Sequence, residues 1–272
     1  MHRTTTLVPR VIAGSGAIMQ LPSLIQQVAP DAGLVVCLID EFFRLDSRLE
    51  KHLSAIEEPV ELLWVSSATE PTTQGLDNLT QIVKKIGTDG ADLSSAVLVG
   101  LGGGSVLDTT KALSVLMTND LLASELQGWD LPTSRGLRKI GVPTLSGTGA
   151  EASRTAVLTN ETSGLKLGIN SDYSVFDAVV LDPDLTSTVP KSLYFFNGMD
   201  SYMHAFEILN GRYRNALSDF LAATAKDQCE SVFSSKEPQG DDCRLELMKA
   251  SFFGGAALTS GYVGAVHPIS AA

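Results

Sequence analysis

The chain has 272 residues, 44% hydrophobic and 19% charged, which excludes intrinsic disorder and collagen-like repeats and allows one large domain or two small ones. With 20 basic and 31 acidic side chains the net charge is −11, so no bulk field favours nucleic acid or an anionic membrane, although a local anion site of backbone N–H groups remains open. Three scattered cysteines, no secretory apolar stretch at the start and no apolar run of ~20 residues predict a reduced, cytoplasmic location and no membrane span.

Short apolar runs then alternate with helical patterns. A helix over 21–28 follows the Gly14-Ser15-Gly16 turn. Residues 34–39 form a continuous apolar run, the mark of a strand buried on both faces, and Asp40 closes it. The runs 60–65, 96–99, 140–142 and 178–181 read as further strands. A longer helix is expected from an N-cap at Thr72 to Lys85, stopping at Gly87. Residues 155–159 and 165–167 read as a hairpin. Beyond Pro190 strand signals vanish, and helices are expected over 191–210, 215–233 and 243–263. The fold class is therefore α/β with a mostly parallel sheet over residues 1–189, followed by an all-α domain over 190–272.

The most informative stretch is the strand 96–99 running into Gly102-Gly103-Gly104-Ser105. Ser105 is expected to cap a helix with an apolar stripe of Val106, Leu107, Leu113 and Leu116. Glycines let backbone N–H groups approach a ligand, and a helix N-terminus adds unpaired donors and partial positive charge. This makes a cradle for a diphosphate. The plainer alternative is a glycine-rich turn, for which three successive glycines are entropically costly. The pattern is neither G-x-G-x-x-G nor a P-loop, because Lys111 lies too far along the helix. At the end of its strand Asp40 either caps the next helix or accepts from an adenosine ribose, which would favour NAD over NADP.

In Gly198-x-Asp200-x-x-x-His204-x-x-Glu207 the acid and the imidazole are four apart and share a helix face. They are either a solvated ion pair or two ligands of one divalent metal. Tyr202, Met203 and Phe206 make the helix apolar nearly all round, which predicts burial. His267 either sits in the core or completes a set of one carboxylate and two imidazoles suited to iron(II) or zinc(II). His2 and His52 read as surface residues.

These motifs resemble the iron-dependent (group III) alcohol dehydrogenases of the dehydroquinate synthase-like superfamily. The resemblance rests on Gly102-Gly103-Gly104-Ser105-x-x-Asp108-x-x-Lys111, Pro143-Thr144-x-x-Gly147-Thr148-Gly149-Ala150-Glu151, Asp182-Pro183-Asp184-Leu185 and the Asp200–Glu207 motif. Ala150 stands where that family usually has Ser. The resemblance implies a dinucleotide-binding domain over 1–189 and a helical metal and substrate domain over 190–272. Gly103, Gly104 and Ser105 would hold the diphosphate, with Asp108 supporting the loop. Thr144, Leu145 and Thr148 would line the adenine side; Ser153, Thr155, Val157 and Lys166 would line the nicotinamide side. Asp200, His204 and His267 match three of four metal ligands; the fourth would lie past Ala272, so the chain is expected to be partial.

A closer resemblance is to the 3-deoxy-manno-octulosonate (Kdo) 8-oxidase branch, on Lys139-Ile140-Gly141-Val142-Pro143-Thr144, on residues 164–177, on Tyr213-Arg214-Asn215 and on residues 260–267. It implies oxidation of a primary alcohol with NAD, on a sugar acid of lipopolysaccharide biosynthesis. Arg154, Arg212 and Arg214 are candidate partners for the substrate carboxylate. The implied partners are a small-molecule alcohol and a second copy of the chain in a dimer, with no nucleic acid and no membrane. Two other readings are a sugar-phosphate cyclase of the dehydroquinate synthase type and an inactive cofactor-binding remnant.

Overall fold

A computed structural model describes residues 5–88 and 92–270. The apolar run at 34–39 is β2 (Val35–Asp40), and all six of its residues are buried. Strand alternation sends Val35, Cys37 and Ile39 into one core with α1 (Leu21–Val28) and α2 (Ser47–Leu53). Val36 and Leu38 enter the opposite core with α3 (Thr73–Thr88) and α4 (Gly104–Leu116). Apolar side chains on both faces demand helices on both faces, which is the layering seen.

The other strands of this sheet are β1 (Val11–Ala13), β3 (Val60–Val65), β4 (Val97–Gly102), β6 (Arg138–Pro143) and β9 (Ala178–Leu181), in the spatial order β1-β9-β6-β4-β2-β3. Every pairing in it is parallel. Between β4 and β6 lie the short α5 (Ala123–Leu126) and β5 (Gly128–Trp129). The hairpin forms as β7 (Thr155–Asn160) and β8 (Leu165–Asn170), antiparallel, and β5 joins it in a second sheet ordered β5-β8-β7. Two expectations need correction, and one strand was not anticipated. β3 is the sheet's last strand in this order, and Leu62 is 43% exposed, so its apolar run is not buried on both faces. α3 runs through Gly87 to Thr88, because that glycine leaves room for Leu93 instead of ending the helix. β1 gave no signal at three residues.

Four helices follow β9: α6 (Lys191–Asn210), α7 (Ala216–Phe233), α8 (Asp241–Gly261) and α9 (Val266–Ser270). Asn215 caps α7 by accepting from Leu217 and Ser218 N–H. α6 is not buried all round: Tyr194, Ser201, His204, Ala205 and Ile208 face the core, whereas Phe195, Phe196 and Phe206 are exposed. No described helix is long and apolar enough to cross a membrane.

The loop after β6 is tied to the helices by two hydroxyls, and one of them, Ser201 Oγ on α6, donates to Gly147 O at 2.7 Å. Ser251 Oγ on α8 accepts from Gly147 N–H (2.9 Å) and Gly149 N–H (3.2 Å) and donates to Glu151 Oε1 (3.0 Å). Gly149 has a φ of +63°, and a Cβ there would lie 2.4 Å from Gly255 Cα, so only glycine fits. Burial pushes the Glu151 carboxyl up to about 7, and hydrogen bonds from its own backbone and from Ser251 offset this only in part. The folded state therefore holds a proton that the unfolded chain releases. Stability from this group is complete below about pH 4.5 and is lost as pH rises through about 7, by ~3 kcal/mol for such a shift. Glu151→Gln mimics the protonated acid, so the variant should be the more stable protein at pH 8 in urea melts, with the gap closing at pH 5. Parallel pH profiles of the two proteins would contradict this.

Candidate cofactor and metal sites

Asp40, Gly102 and Pro143 end the adjacent strands β2, β4 and β6 at one edge of the sheet. β2 leads outward to β3, while β4 starts on its other side, so the gap between them is a topological switch point. Open α/β sheets bind ligands at such a point, beyond the carboxyl ends of the strands. The glycine turn lies there.

One detail corrects the reading of that turn. Helix α4 starts at Gly104 with Gly103 as N-cap and no side-chain cap, so Ser105 is the second helical residue and not the cap. Gly103 O accepts from Val106 and Leu107 N–H, which leaves Gly104 and Ser105 as the first backbone donors. Both are partly exposed. Leu145 and Thr148 of the next loop stand over Gly103 and Gly104, and Thr144 N–H donates to Gly102 O at 3.0 Å. Asp40 is 7% exposed and caps the following 3₁₀ turn by accepting from Phe42 N–H, as well as from Ser67 Oγ. Capping is thus one role of Asp40 in the fold.

Asp108 ties α4 to the second sheet. Its Oδ2 accepts from Val157 N–H at 2.9 Å, and its Oδ1 lies 2.9 Å from Lys111 Nζ. Lys111 is fully buried and donates to Ala150 O (2.8 Å), Ser153 Oγ (3.3 Å) and Thr155 O. One ammonium thus holds both ends of the 150–155 segment, on which Ser153 and Thr155 sit. Val157 is partly exposed on β7, and Lys166 pairs with Glu70 at 2.9 Å near the surface.

The structure brings Asp200, His204 and His267 together, with one ligand atom from each inside a 4.8 Å set. Asp200 Oδ1 lies 3.2 Å from His267 Nε2 and 3.8 Å from His204 Nε2. The two imidazoles stack with centroids 4.3 Å apart. Burial pushes His204 down to about 4 despite Asp200, so the ring is neutral at pH 7. Its Nδ1 is buried with no hydrogen-bond partner among the described residues. Burial alone would raise Asp200, but the His267 hydrogen bond and both rings hold it below the usual carboxylate range. Burial alone would lower His267; Asp200 and Glu207 instead hold it above the usual imidazole value. A carboxylate and a neutral imidazole converging with a second imidazole fit iron(II) or zinc(II) chemically.

Of the candidate arginines, Arg154 is held by Asp130 and by Asp172 at 3.0 Å, and Arg214 forms a bidentate pair with Asp219. Arg212 is exposed. His52 is partly exposed, and His2 lies outside the described residues. Reading the sequence missed Ser251 and gave no role to Lys111 or Glu207, although both stand in the motifs it singled out. Lys111 did carry a signal, its i,i+3 spacing from Asp108.

A parallel sheet with a glycine turn at its switch point, followed by helices carrying an acid–imidazole cluster, defines a doubly wound α/β part joined to a helical second part. Residues 9–183 match the iron-containing alcohol dehydrogenase family, and the chain belongs to it. It is 28% identical to the sulfoacetaldehyde reductase of Bilophila wadsworthia over 96% of its own length and 66% of the relative's. It is 29% identical to long-chain-alcohol dehydrogenase 1 of Geobacillus thermodenitrificans, over 86% of this chain and 62% of that one. The crystal structure of the sulfoacetaldehyde reductase from Bifidobacterium kashiwanohense in complex with NAD+ shares the fold, with a TM-score of 0.86 at 24% identity over 99% of this chain and 70% of that one. The chain thus spans about two thirds of the length of these relatives.

Proposed function

We propose that this chain carries the NAD and metal sites of an alcohol–aldehyde oxidoreductase. In such chemistry the bound metal supplies Lewis acidity toward an alcohol oxygen and the nicotinamide accepts hydride. Gly103, Gly104 and Ser105 hold the diphosphate on backbone donors. Asp40 faces the adenosine ribose, and Thr144, Leu145 and Thr148 border the adenine. Ser153, Thr155, Val157 and Lys166 border the nicotinamide, with Asp108 and Lys111 fixing that loop. Asp200, His204 and His267 hold the metal, for which iron(II) and zinc(II) are both chemically suited. The observation that carries the reading is the pairing of the switch-point turn with the three converging donors in one chain of this family.

The relatives' names span sulfoacetaldehyde and long-chain alcohols, so the substrate class stops at a primary alcohol or its aldehyde. A Kdo-type sugar acid is a narrower candidate supported by sequence motifs alone. Its carboxylate would fall to Arg212, because Arg154 and Arg214 are engaged by acids. The family match lies with alcohol dehydrogenases and gives the cyclase reading no support.

Calorimetry with the two cofactors tests the cofactor half of the proposal. NAD is expected to bind more tightly than NADP, and Asp40→Gly is expected to narrow that preference. Tighter NADP binding by the wild type would refute the Asp40 assignment. Gly103→Val tests the cradle. Gly103 has φ −77° and ψ −170°, which any L residue adopts, and its Cβ would meet only the flexible end of Leu145, at 2.9 Å. The variant should fold, by circular dichroism, and lose NAD affinity at least about 100-fold, because the branched side chain stands before the backbone donors. Unchanged affinity in the folded variant would remove the diphosphate from this turn.

A further inference from the structure

Glu207 lies one turn beyond His204 on α6 and is only 6% exposed. Burying a carboxylate is costly unless donors surround it. Here the donors come from the segment after α8. Val266 N–H donates to Oε1 at 2.6 Å, and His267 Nδ1 meets Oε2. The backbone passes so close that a Cβ on Gly264 would sit 2.8 Å from Glu207 Oε1. One carboxylate on α6 thus gathers residues 264–267 against the helix that carries Asp200 and His204. The ring's other nitrogen, Nε2, faces Asp200 Oδ1 at 3.2 Å.

An ionised carboxylate oxygen only accepts, and a neutral imidazole carries its proton on one nitrogen alone. Both ring nitrogens face a carboxylate, but the Glu207 side chain is 4% exposed against 35% for Asp200 and has less water to replace a lost donor, so the single proton of the neutral ring belongs on Nδ1 and the lone pair on Nε2. We propose that Glu207 is a positioning residue that holds His267 in the Nδ1–H tautomer, with its Nε2 lone pair turned toward Asp200 and His204. The inference rests on the reading of those three side chains as a metal site. Carboxylates that orient metal-bound histidines in this way typically account for a 10–100-fold difference in metal affinity.

Glu207→Gln separates this role from simple bracing of the segment. The amide has one acceptor oxygen for two donors, Val266 N–H and His267 Nδ1–H. With the oxygen on Val266, its NH₂ group faces Nδ1, which must then accept. The ring proton moves to Nε2 and blocks a metal there.

The test uses the whole chain and two readouts: two-bond ¹H–¹⁵N spectra of the His267 ring in metal-free protein at alkaline pH, and Zn²⁺ affinity by competition with a chromogenic chelator. The wild type should show the proton on Nδ1 and Glu207→Gln should show it on Nε2, with Zn²⁺ affinity about 10–100-fold weaker and NAD affinity unchanged. Glu207→Asp, which keeps an acceptor on a shorter arm, should retain the wild-type tautomer and recover part of the affinity; it also serves if the amide variant does not fold. The same tautomer in wild type and Glu207→Gln, or undiminished Zn²⁺ affinity in the variant, overturns the proposal. Absence of Zn²⁺ binding by the wild type would instead overturn the metal reading, and the tautomer comparison alone would then decide the role of Glu207.

Discussion

His204→Ala should lose metal binding by more than about 100-fold while its NAD affinity stays at the wild-type level. His204 is buried and neutral, with its pKa pushed down to about 4, so at pH 7 it offers a lone pair without first shedding a proton. Alanine removes one of three converging donors and also the ring on which His267 stacks. Orienting residues alone change metal affinity by about 10–100-fold, so a ligand itself should exceed that range. The proposed cofactor edge lies at the ends of β2, β4 and β6, and α6 meets its loop through Ser201 Oγ, which donates to Gly147 O at 2.7 Å, a bond that His204→Ala leaves in place. Chelator competition with Zn²⁺ and calorimetry with NAD therefore report on two separate parts of one protein. Metal occupancy should also fall in mild acid, where His267 is protonated: its two neighbouring acids hold its pKa above the usual imidazole value, so protons compete from a higher pH than for a free histidine. Undiminished Zn²⁺ affinity in His204→Ala would end the metal assignment.

Local patterning made much of this fold legible. The 34–39 run became a fully buried strand because alternate residues feed two separate cores, and helix 191–210 has the bounds that its spacing predicts. Failures arose where burial depends on distant neighbours. The 60–65 run is apolar apart from Glu61, and its place at the end of the sheet order exposes Leu62. The α6 sequence is apolar around its circumference, but only one face meets α7 and α8. Ser105 looked like a helix cap because serine commonly is one; the chain instead enters α4 two residues earlier, through Gly103. The Asp200–His204 pairing was visible in spacing, while for His267 the sequence left open a core position or a place in the same ligand set. Contacts such as Ser251 with Glu151, one hundred residues apart, leave no local trace at all.

Lys111→Met should destabilise the fold by about 3–5 kcal/mol, the usual consequence of removing one partner from a buried ion pair. The side chain is fully buried, and methionine reproduces its stem as far as Cε while removing the ammonium. Ala150 O and Thr155 O would lose a buried donor, and Asp108 would keep its carboxylate without the ammonium 2.9 Å away. Against a total stability of about 5–15 kcal/mol this is a large fraction, visible as a lower urea midpoint at an unchanged slope. The same loss frees the 150–155 segment, so NAD affinity should fall in the folded fraction as well. The double variant Lys111→Met with Asp108→Asn separates charge from packing. Removing the stranded carboxylate should make the pair less destabilised than the sum of the single variants, because the two side chains share one network. Strict additivity would mean that Lys111 acts only through its backbone acceptors, and that the ion pair adds nothing to the anchoring of the loop.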